Sequence, residues 1–469
     1  MTTLFDSSEA ARANRREMLK PWIEEARQLL WLAMPLIAMQ LAQISSITAD
    51  IIMVGPLGKE AIAATGAGAV LYYLAWLIGY GPVVAVSPIV AQILGAHPND
   101  RARTRAAVRM GLWAIAMISP PLMIFLIWAK PMLLLLGQDP KVVELASSWV
   151  HMVAFGLPFS LGFGVLRGFA TATGRQHYVL LVSVGMLLVN ITLNYVLIYG
   201  HFGAPALGVQ GAGLASAIAY AFAFFAMLGI ATLVPEFRKY HVLHRFTRPD
   251  WSKFVEVFRL GVPMAVSMIF EAMLFNSATL LMGIFGAASQ AAHLVALNVG
   301  SVTFMVPLGI GIAATVRVGL AAGAKNHEGV RRAGHIAILF GAGFMFVCAV
   351  VIALAPHTIA GLYIEASDPA NADVMRLVVP FLYVAAIFQV FDALQVTAQM
   401  CLRGLKDANA PAWIAGLSYW LVGFTACLIL GFTYDLKGLG VWIGLALGLA
   451  AAATGMVLRF EILSRRNLR

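Results

Sequence analysis

The chain has 469 residues, of which 61% are apolar and only 12% are charged. Soluble domains average about 45–50% apolar and about 25% charged residues. This composition excludes a soluble protein, with or without a single membrane anchor, and predicts a polytopic membrane protein. The net charge of +10 could by itself suggest a nucleic-acid partner, but the positions of the charges, described below, argue against that class.

In chain order, a polar segment is followed by a series of long apolar stretches. Residues 1–27 are predicted to be a cytoplasmic segment without a cleavable signal peptide, because the first apolar stretch is long enough to span a bilayer. The uncharged stretch 176–235 would be about 90 Å long as one helix, three times the thickness of a bilayer core. It must fold back, and the segment 200–205 marks the break. The predicted spans are 28–54, 62–96, 106–136, 142–172, 177–199, 211–234, 254–284, 290–323, 332–363, 374–402, 410–432 and 438–460.

The apolar runs are continuous rather than alternating, which favours helices over membrane-spanning strands. Proline lies inside several spans, and membrane helices tolerate it where neighbouring groups satisfy the freed backbone, so bent helices are expected. The predicted fold class is an all-α membrane protein with twelve transmembrane helices.

The first span carries an acid, Asp50, where a bilayer disfavours it. An ionisable group near mid-bilayer costs roughly 2.5–3.5 kcal/mol on insertion scales, so such groups usually serve a function. Gln43 and Ser46 share its helix face. In the fifth span, Asn190 and Asn194 lie one turn apart and offer two amide oxygens. A carboxylate with neutral oxygens suits a monovalent cation such as Na⁺; the alternative is that the asparagines are hydrogen-bonding contacts between helices.

The second half of the chain carries two further acids, Glu271 in the seventh span and Asp392 in the tenth. Asp392 lies in a polar stripe with Gln389 and Gln395, which requires an aqueous or protein partner. These acids are predicted to bind a cation or carry a proton. The alternative is that both are neutral, hydrogen-bonded groups of the helix core.

The two halves repeat one pattern, with a shift of about 228 residues. Equivalent pairs are Pro35 and Pro263, Gly55 and Gly283, Gly58 and Gly286, and Gly95 and Gly323; Leu166-Arg167-Gly168 recurs as Leu402-Arg403-Gly404. We expect two six-helix lobes, 28–235 and 254–460, related by a pseudo-two-fold axis along the membrane normal. A cytoplasmic linker, 236–253, joins them, and 461–469 form a cytoplasmic tail. Such a duplication is typical of alternating access, although glycine-rich helices can also align by chance.

Most of the 32 lysines and arginines fall in alternate loops, which predicts that both termini are cytoplasmic. In this assignment Arg167 and Arg403 belong to the cytoplasmic loops. Arg317 lies inside a span and is expected to snorkel to the cytoplasmic interface, with pairing to a lobe carboxylate as the alternative. The three cysteines are predicted to be free thiols.

Together these stretches resemble the MATE (multidrug and toxic compound extrusion) transporters, most closely the NorM-type branch. The resemblance extends over about 28–460. It is carried by Asp50-Ile51-Ile52-Met53-Val54-Gly55, Ile269-Phe270-Glu271, Phe391-Asp392-Ala393-Leu394-Gln395, Leu402-Arg403-Gly404-Leu405-Lys406-Asp407, and Gly438-Leu439-Gly440-Val441-Trp442-Ile443-Gly444.

The resemblance implies efflux of cationic, amphipathic compounds in exchange for Na⁺ or H⁺, by a monomer in a bacterial inner membrane and without a further cofactor. It implies an amino-lobe ion site at Asp50 with Asn190 and Asn194, and a carboxy-lobe site at Glu271 and Asp392. NorM-type sequences often have a tyrosine where this chain has Phe388, which removes a hydroxyl ligand from the second site.

Two other functions remain open. A flippase for a lipid-linked sugar would need several lysines or arginines in its cavity to hold a pyrophosphate, and at most one arginine is expected there. A membrane-embedded enzyme such as an aspartyl protease could use Asp50 and Asp392, but the chain lacks a Gly-x-Gly-Asp or His-Glu-x-x-His motif. We therefore expect a transporter and not an enzyme.

Overall fold

The computed structural model describes residues 2–365 and 368–465, and the side chains of residues 19–365, 368, 369 and 371–465. All regular secondary structure in these ranges is helical. The α-helices are Thr2–Val54 (α1), Lys59–Ala96 (α2), Arg101–Ile127 (α3), Ala129–Leu135 (α4), Pro140–Ala154 (α5), Leu157–Ala172 (α6), Gln176–Tyr199 (α7), Val209–Leu233 (α8), Pro235–Arg238 (α9), Trp251–Ile284 (α10), Ala287–Gly323 (α11), His327–Leu354 (α12), Pro356–Gly361 (α13), Ala372–Gly404 (α14), Asn409–Gly416 (α15), Thr425–Leu428 (α16) and Lys437–Arg465 (α17). Two 3₁₀ turns, Gly55–Leu57 and Pro369–Asn371, and two π-helical segments, Leu417–Phe424 and Ile429–Thr433, complete the set.

Eleven helical segments in the described residues are long and apolar enough to cross a membrane. A twelfth crossing is formed if α5 and α6, which are bent by 45° at their junction, count as one span. Each of these segments overlaps one of the twelve predicted spans. The prediction of an all-helical, multi-pass membrane protein is therefore confirmed.

The fourth predicted span is broken at Phe155 and Gly156, between α5 and α6. Pro158 follows in the first turn of α6, where the N–H that proline lacks has no intrahelical partner in any case. Gly156 packs against α8, because a Cβ atom added there would lie 2.8 Å from the Cα atom of Ala217. The close approach of α8 and the proline together account for the bend.

Three other spans differ from the continuous helices that the sequence predicts. The third ends at Ile127 and resumes as the short α4, and the ninth ends at Leu354 before α13, which begins at Pro356. The eleventh, Asn409–Thr433, contains both π-helical segments. There Gly423 packs on Gly448 of α17, where a Cβ atom would lie 3.1 Å from the glycine Cα atom. Wider turns of this kind are frequent at functional sites.

The segment between α8 and α10, close to the predicted linker 236–253, packs on α3. Arg109 Nη1 donates to the carbonyl oxygen of Arg245 at 2.8 Å, and Trp113 Nε1 donates to that of Phe246 at 2.8 Å. The Arg109 side chain is buried where it makes this contact. The connection is therefore fixed to the first repeat rather than free in solvent.

The two repeats meet at one end of the bundle, which we call the basic end. It is the end at which α2, α11 and α14 terminate. A Cβ atom added at Gly95 would clash with the carbonyl oxygen of Leu320, and one added at Gly323 would clash with that of Gln92. The backbones of α2 and α11 therefore touch at this end, where only glycine permits so close an approach.

Hydrogen bonds between the repeats also lie at the basic end. Within the described residues, three join helices of the first repeat to helices of the second. Gln92 Nε2 donates to the carbonyl oxygen of Gly404 at 2.8 Å, and Arg317 donates twice to Glu25, at 2.7 and 2.6 Å. Arg317 thus pairs with the N-terminal part of α1. The sequence did not suggest Glu25 as the partner. It favoured a snorkelling arginine, with an ion pair only as the alternative.

Candidate ion and substrate cavity

A cavity of about 400 Å³ lies among the helices of the first repeat. Its walls are mainly apolar and aromatic, and Asp50 is the acid among its described lining residues. Gln43, which shares a helix face with Asp50, also lines it, and so does Ser183 on α7. Two tyrosines stack on its far wall, Tyr72 on α2 and Tyr220 on α8, with ring centroids 6.3 Å apart.

The carboxylate of Asp50 accepts hydrogen bonds from two other helices. Asn194 Nδ2, on α7, donates to Oδ1 at 2.5 Å, and Ser216 Oγ, on α8, donates to Oδ2 at 3.5 Å. The predicted partners Asp50 and Asn194 are therefore in direct contact. Ser216 had no signal in the sequence, because a serine within an alanine-rich helix is common.

Asn190 belongs to the same group of oxygens. Its Oδ1 accepts from Ser46 Oγ at 3.2 Å and from Asn194 Nδ2 at 3.4 Å. The Oδ1 atom of Asn194 is buried and has no hydrogen-bond partner in the described structure. A carboxylate, two amide oxygens and two hydroxyls thus converge from α1, α7 and α8, and one acceptor is left free. Such a set of oxygens can replace the hydration shell of a small cation.

A second cavity, of about 490 Å³, lies between the two repeats. It adjoins the first, since Gln43, Tyr73, Trp76, Tyr80 and Arg167 line both. The rings of Trp76 and Tyr80 stack with centroids 4.2 Å apart. Flat aromatic faces of this kind attract cations.

The second cavity contains one acid, Glu271, and two arginines among its described lining residues. Arg167 Nη2 donates to the hydroxyl of Tyr80 at 2.5 Å, and Arg403 Nη2 donates to Gln399 Oε1 at 3.3 Å. The expectation of at most one arginine in the cavity is therefore wrong. The charge pattern had placed both residues in loops, yet they occupy equivalent positions of the Leu-Arg-Gly repeat, and that repetition was the signal that could have revealed them.

Asp392 lies on α14, buried beside this cavity and absent from the lining of both cavities. Its Oδ1 atom has no hydrogen-bond partner in the described structure, and neither do Nε2 and Oε1 of Gln395. Gln389 differs, because its Oε1 accepts from Thr303 Oγ1 at 2.5 Å. The structure thus places Glu271 on the cavity and Asp392 nearby, within the helix core.

Phe388 and Tyr419 border this acidic region. Phe388 is buried in edge-to-face contact with Phe275 and Trp442, so it provides no polar group. Tyr419 lies in the first π-helical segment, fully buried, and its hydroxyl has no partner in the described structure. It lies near both Glu271 and Asp392. The sequence did not suggest Tyr419, since a tyrosine in an apolar span is usually a packing residue.

Comparison with known proteins defines the class. The protein-family model MatE matches residues 35–196 and 263–429. A Mesorhizobium japonicum protein, "Probable multidrug resistance protein NorM", is 40% identical over 440 residues, covering 94% of each chain. A Pseudomonas aeruginosa protein of the same name is 39% identical over 451 residues, covering 96% of this chain and 92% of the relative.

Solved structures agree in fold. A eukaryotic MATE transporter superposes with a TM-score of 0.84 at 22% identity, covering 95% of this chain and 97% of the other. A mutant of a Vibrio cholerae MATE transporter has a TM-score of 0.84 at 18% identity, covering 95% and 99%. The chain belongs to the MATE family of membrane transporters, and its NorM-named relatives confirm the branch that the motifs indicated. The family consists of transporters, so the alternative of a membrane enzyme is set aside, and the multidrug-resistance names of the relatives support drug efflux rather than a lipid-linked sugar flippase.

Proposed function

We propose that this NorM-type transporter exports cationic, amphipathic small molecules in exchange for Na⁺ or H⁺. The relatives are named for multidrug resistance, which supports small drug-like substrates. The first cavity supports a cationic one, because aromatic walls surround the carboxylate of Asp50. A flat organic cation would find an apolar surface, cation–π contacts and one opposite charge in the same place.

The observation that carries the coupling proposal is the group of oxygens around Asp50. Asn194 and Ser216 donate to its carboxylate, while the amide oxygen of Asn194 remains unpaired. A Na⁺ ion could recruit that oxygen together with Asn190, and a proton could instead reside on the carboxylate itself. Glu271 and Asp392 are proposed as a second acidic site, which responds to the same ion or to the substrate.

Alternating access is supported by the contacts at the basic end, where the repeats touch through Gly95 and Gly323. We propose that the basic end faces the cytoplasm, with both termini, because positive charge concentrates there. The cavities would then open towards the outside of a bacterial inner membrane. The transporter is proposed to act as a monomer, with the lobes 28–235 and 254–460 rocking about the cavity.

Asp50→Asn tests the coupling proposal, because the amide retains the shape of the side chain but cannot compensate a bound cation. We expect active efflux of a cationic dye to fall by roughly an order of magnitude or more, since each coupled charge contributes ~2.3 kcal/mol per 100 mV. Everted membrane vesicles are given Na⁺ and pH jumps separately, so that the ion whose jump drives wild-type efflux is identified.

The control is Asp139→Asn, because asparagine preserves the N-terminal cap that Asp139 provides for α5. Control efflux should match the wild type. Normal efflux by Asp50→Asn at normal expression would make Asp50 a structural residue.

Asn190→Ala and Asn194→Ala should shift the apparent affinity for the coupling ion. If these variants instead only reduce the amount of folded protein, the asparagines serve as hydrogen-bonding contacts between helices.

A further inference from the structure

A third pocket lies at the basic end, apart from the two cavities described above. Its volume is about 330 Å³, and it forms where α2, α11 and α14 end and where α3 and α10 begin. Its described lining contains four basic side chains and no carboxylate: Arg103, Lys253, Lys325 and Lys406. Both repeats contribute. Arg103 lies at the start of α3, and Lys253 lies at the start of α10. Lys325 and Lys406 follow the ends of α11 and α14.

Two of the lysines are held side by side by one acid. Lys253 Nζ contacts Glu256 Oε2 at 2.5 Å, and Lys406 Nζ contacts Glu256 Oε1 at 2.8 Å. A single carboxylate thus positions two ammonium groups, and the group of three retains a positive charge. Their side chains are only 23% exposed, so this charge lies in the pocket rather than in open solvent.

The other two basic side chains add further positive charge. Arg103 Nε is 3.3 Å from Asp100 Oδ2 and its side chain is 64% exposed. Lys325 forms no ion pair with a carboxylate among the described side chains. Its backbone has φ 54°, and Lys406 has φ 58°, in the left-handed region that residues other than glycine rarely adopt. Two lysines that line the pocket thus adopt costly backbone conformations.

We propose that this pocket binds a phosphate group, supplied by the headgroup of an anionic phospholipid or by free phosphate. Phosphate oxygens accept several charge-assisted hydrogen bonds at once, and basic pockets between membrane helices bind anionic headgroups. The bound group contacts both repeats next to the bond between Gln92 and Gly404, at the end where the repeats touch. Binding is measured without transport, so the result is independent of the proposed function.

The test uses the full-length protein in nanodiscs and two double variants that remove equal charge. Arg103→Gln with Lys325→Asn empties part of the pocket and leaves both Glu256 contacts intact. Asparagine is chosen because it tolerates the left-handed conformation. Arg101→Gln with Lys437→Asn is the matched control, because Arg101 begins the same helix as Arg103 and Lys437 has φ 49° at the start of α17, outside the pocket.

Two parts of the experiment distinguish a phospholipid headgroup from free phosphate. In the lipid arm, native mass spectrometry counts phosphatidylglycerol bound in discs of phosphatidylcholine with added phosphatidylglycerol. In the free arm, inorganic phosphate is titrated against pure phosphatidylcholine discs and the Tm is recorded. We expect the wild type and the control to bind in at least one arm, and the pocket variant to bind roughly thirtyfold more weakly there. The proposal is overturned if the pocket variant and the control bind lipid and phosphate equally well in both experiments. The basic side chains would then interact only with the carbonyl groups at the helix ends.

Discussion

At the scale of single residues, the three membrane-embedded acids have different surroundings. Asp50 accepts hydrogen bonds from two neighbouring helices. Glu271 faces the second cavity together with Arg403, whose positive charge acts on it. Asp392 is enclosed by α14 and its neighbours, with an oxygen that has no partner in the described structure. A buried polar group without a partner is costly, so Asp392 is the acid whose retention most needs a functional reason.

Neutralising the second-repeat acids should impair active transport more than folding. We expect Glu271→Gln and Asp392→Asn each to lower efflux against a gradient by roughly tenfold or more, since each removes a place for a coupled charge. Efflux and the amount of folded protein are measured in the same vesicles.

Asp373→Asn is the matched control, because Asp373 is an exposed acid in the first turn of the same helix as Asp392. Its efflux should equal that of the wild type. Wild-type efflux by the double variant Glu271→Gln, Asp392→Asn would remove both acids from the mechanism.

At the scale of secondary-structure elements, α2 and α11 form the contact that closes the basic end. Gly95 on α2 and Gly323 on α11 each face a carbonyl oxygen of the other helix. Gly81 and Gly261 add a similar contact between α2 and α10, with a Cβ atom at Gly81 placed 2.8 Å from the carbonyl oxygen of Gly261. Because backbone atoms cannot move aside as a flexible side chain does, any larger residue must separate the helices.

Gly323→Val should therefore hold the basic end open. The added side chain clashes with the carbonyl oxygen of Gln92, and overpacking of this kind costs about 1–3 kcal/mol. We expect active efflux to be lost and the reactivity of a cysteine placed at Gln92 to rise towards a water-soluble thiol reagent added at this end.

Gly300→Val on the same helix is the control, because a Cβ atom at Gly300 meets no atom within 4 Å. It should leave both efflux and cysteine reactivity unchanged. Equal efflux by Gly323→Val and Gly300→Val would show that the close contact of α2 and α11 is dispensable.

At the scale of the whole molecule, an ion pair links the N-terminal part of α1 to the second repeat. Arg317 contacts Glu25 through two hydrogen bonds, and the side chains are 24% and 12% exposed. Loss of one partner of a partly buried ion pair is destabilising, because it leaves a charge uncompensated. The pair also spans the two repeats, so any opening of the basic end must break it.

Exchanging the two charges tests whether Arg317 and Glu25 act as an ion pair between the repeats or only as packing residues. Arg317→Glu should weaken closure of the basic end and lower efflux several-fold, and Glu25→Arg in the same chain should restore most of it. Arg332→Glu is the control, because Arg332 pairs within its own helix with Glu328 at 3.6 Å. A double variant no better than Arg317→Glu alone would argue that the pair does not link the repeats functionally.

The orientation in the membrane is tested by labelling from one side. In a background with Cys348→Ala, a cysteine at Lys437 should react with an impermeant reagent outside intact cells, and one at Arg245 should not. The native thiols Cys401 and Cys427 are buried and contribute little labelling. The reverse pattern would place the basic end outside and contradict the proposed topology.

Composition, hydropathy and motifs were enough to establish the class of protein, the approximate spans and the family. Long uncharged runs favour membrane-spanning helices, and local spacing alone predicts that Asp50 shares a helix face with Gln43 and that Asn190 and Asn194 lie one turn apart. Which side chains from distant helices meet became known only from the packing of the helices. Ser216 and Tyr419 resemble ordinary helix residues until packing brings them near an acid. Arg167 and Arg403 are read as loop charges until the helices that carry them line the cavity. The physical reason is that polarity and periodicity are local properties of the chain, whereas a charge's partners depend on contacts between residues hundreds of positions apart.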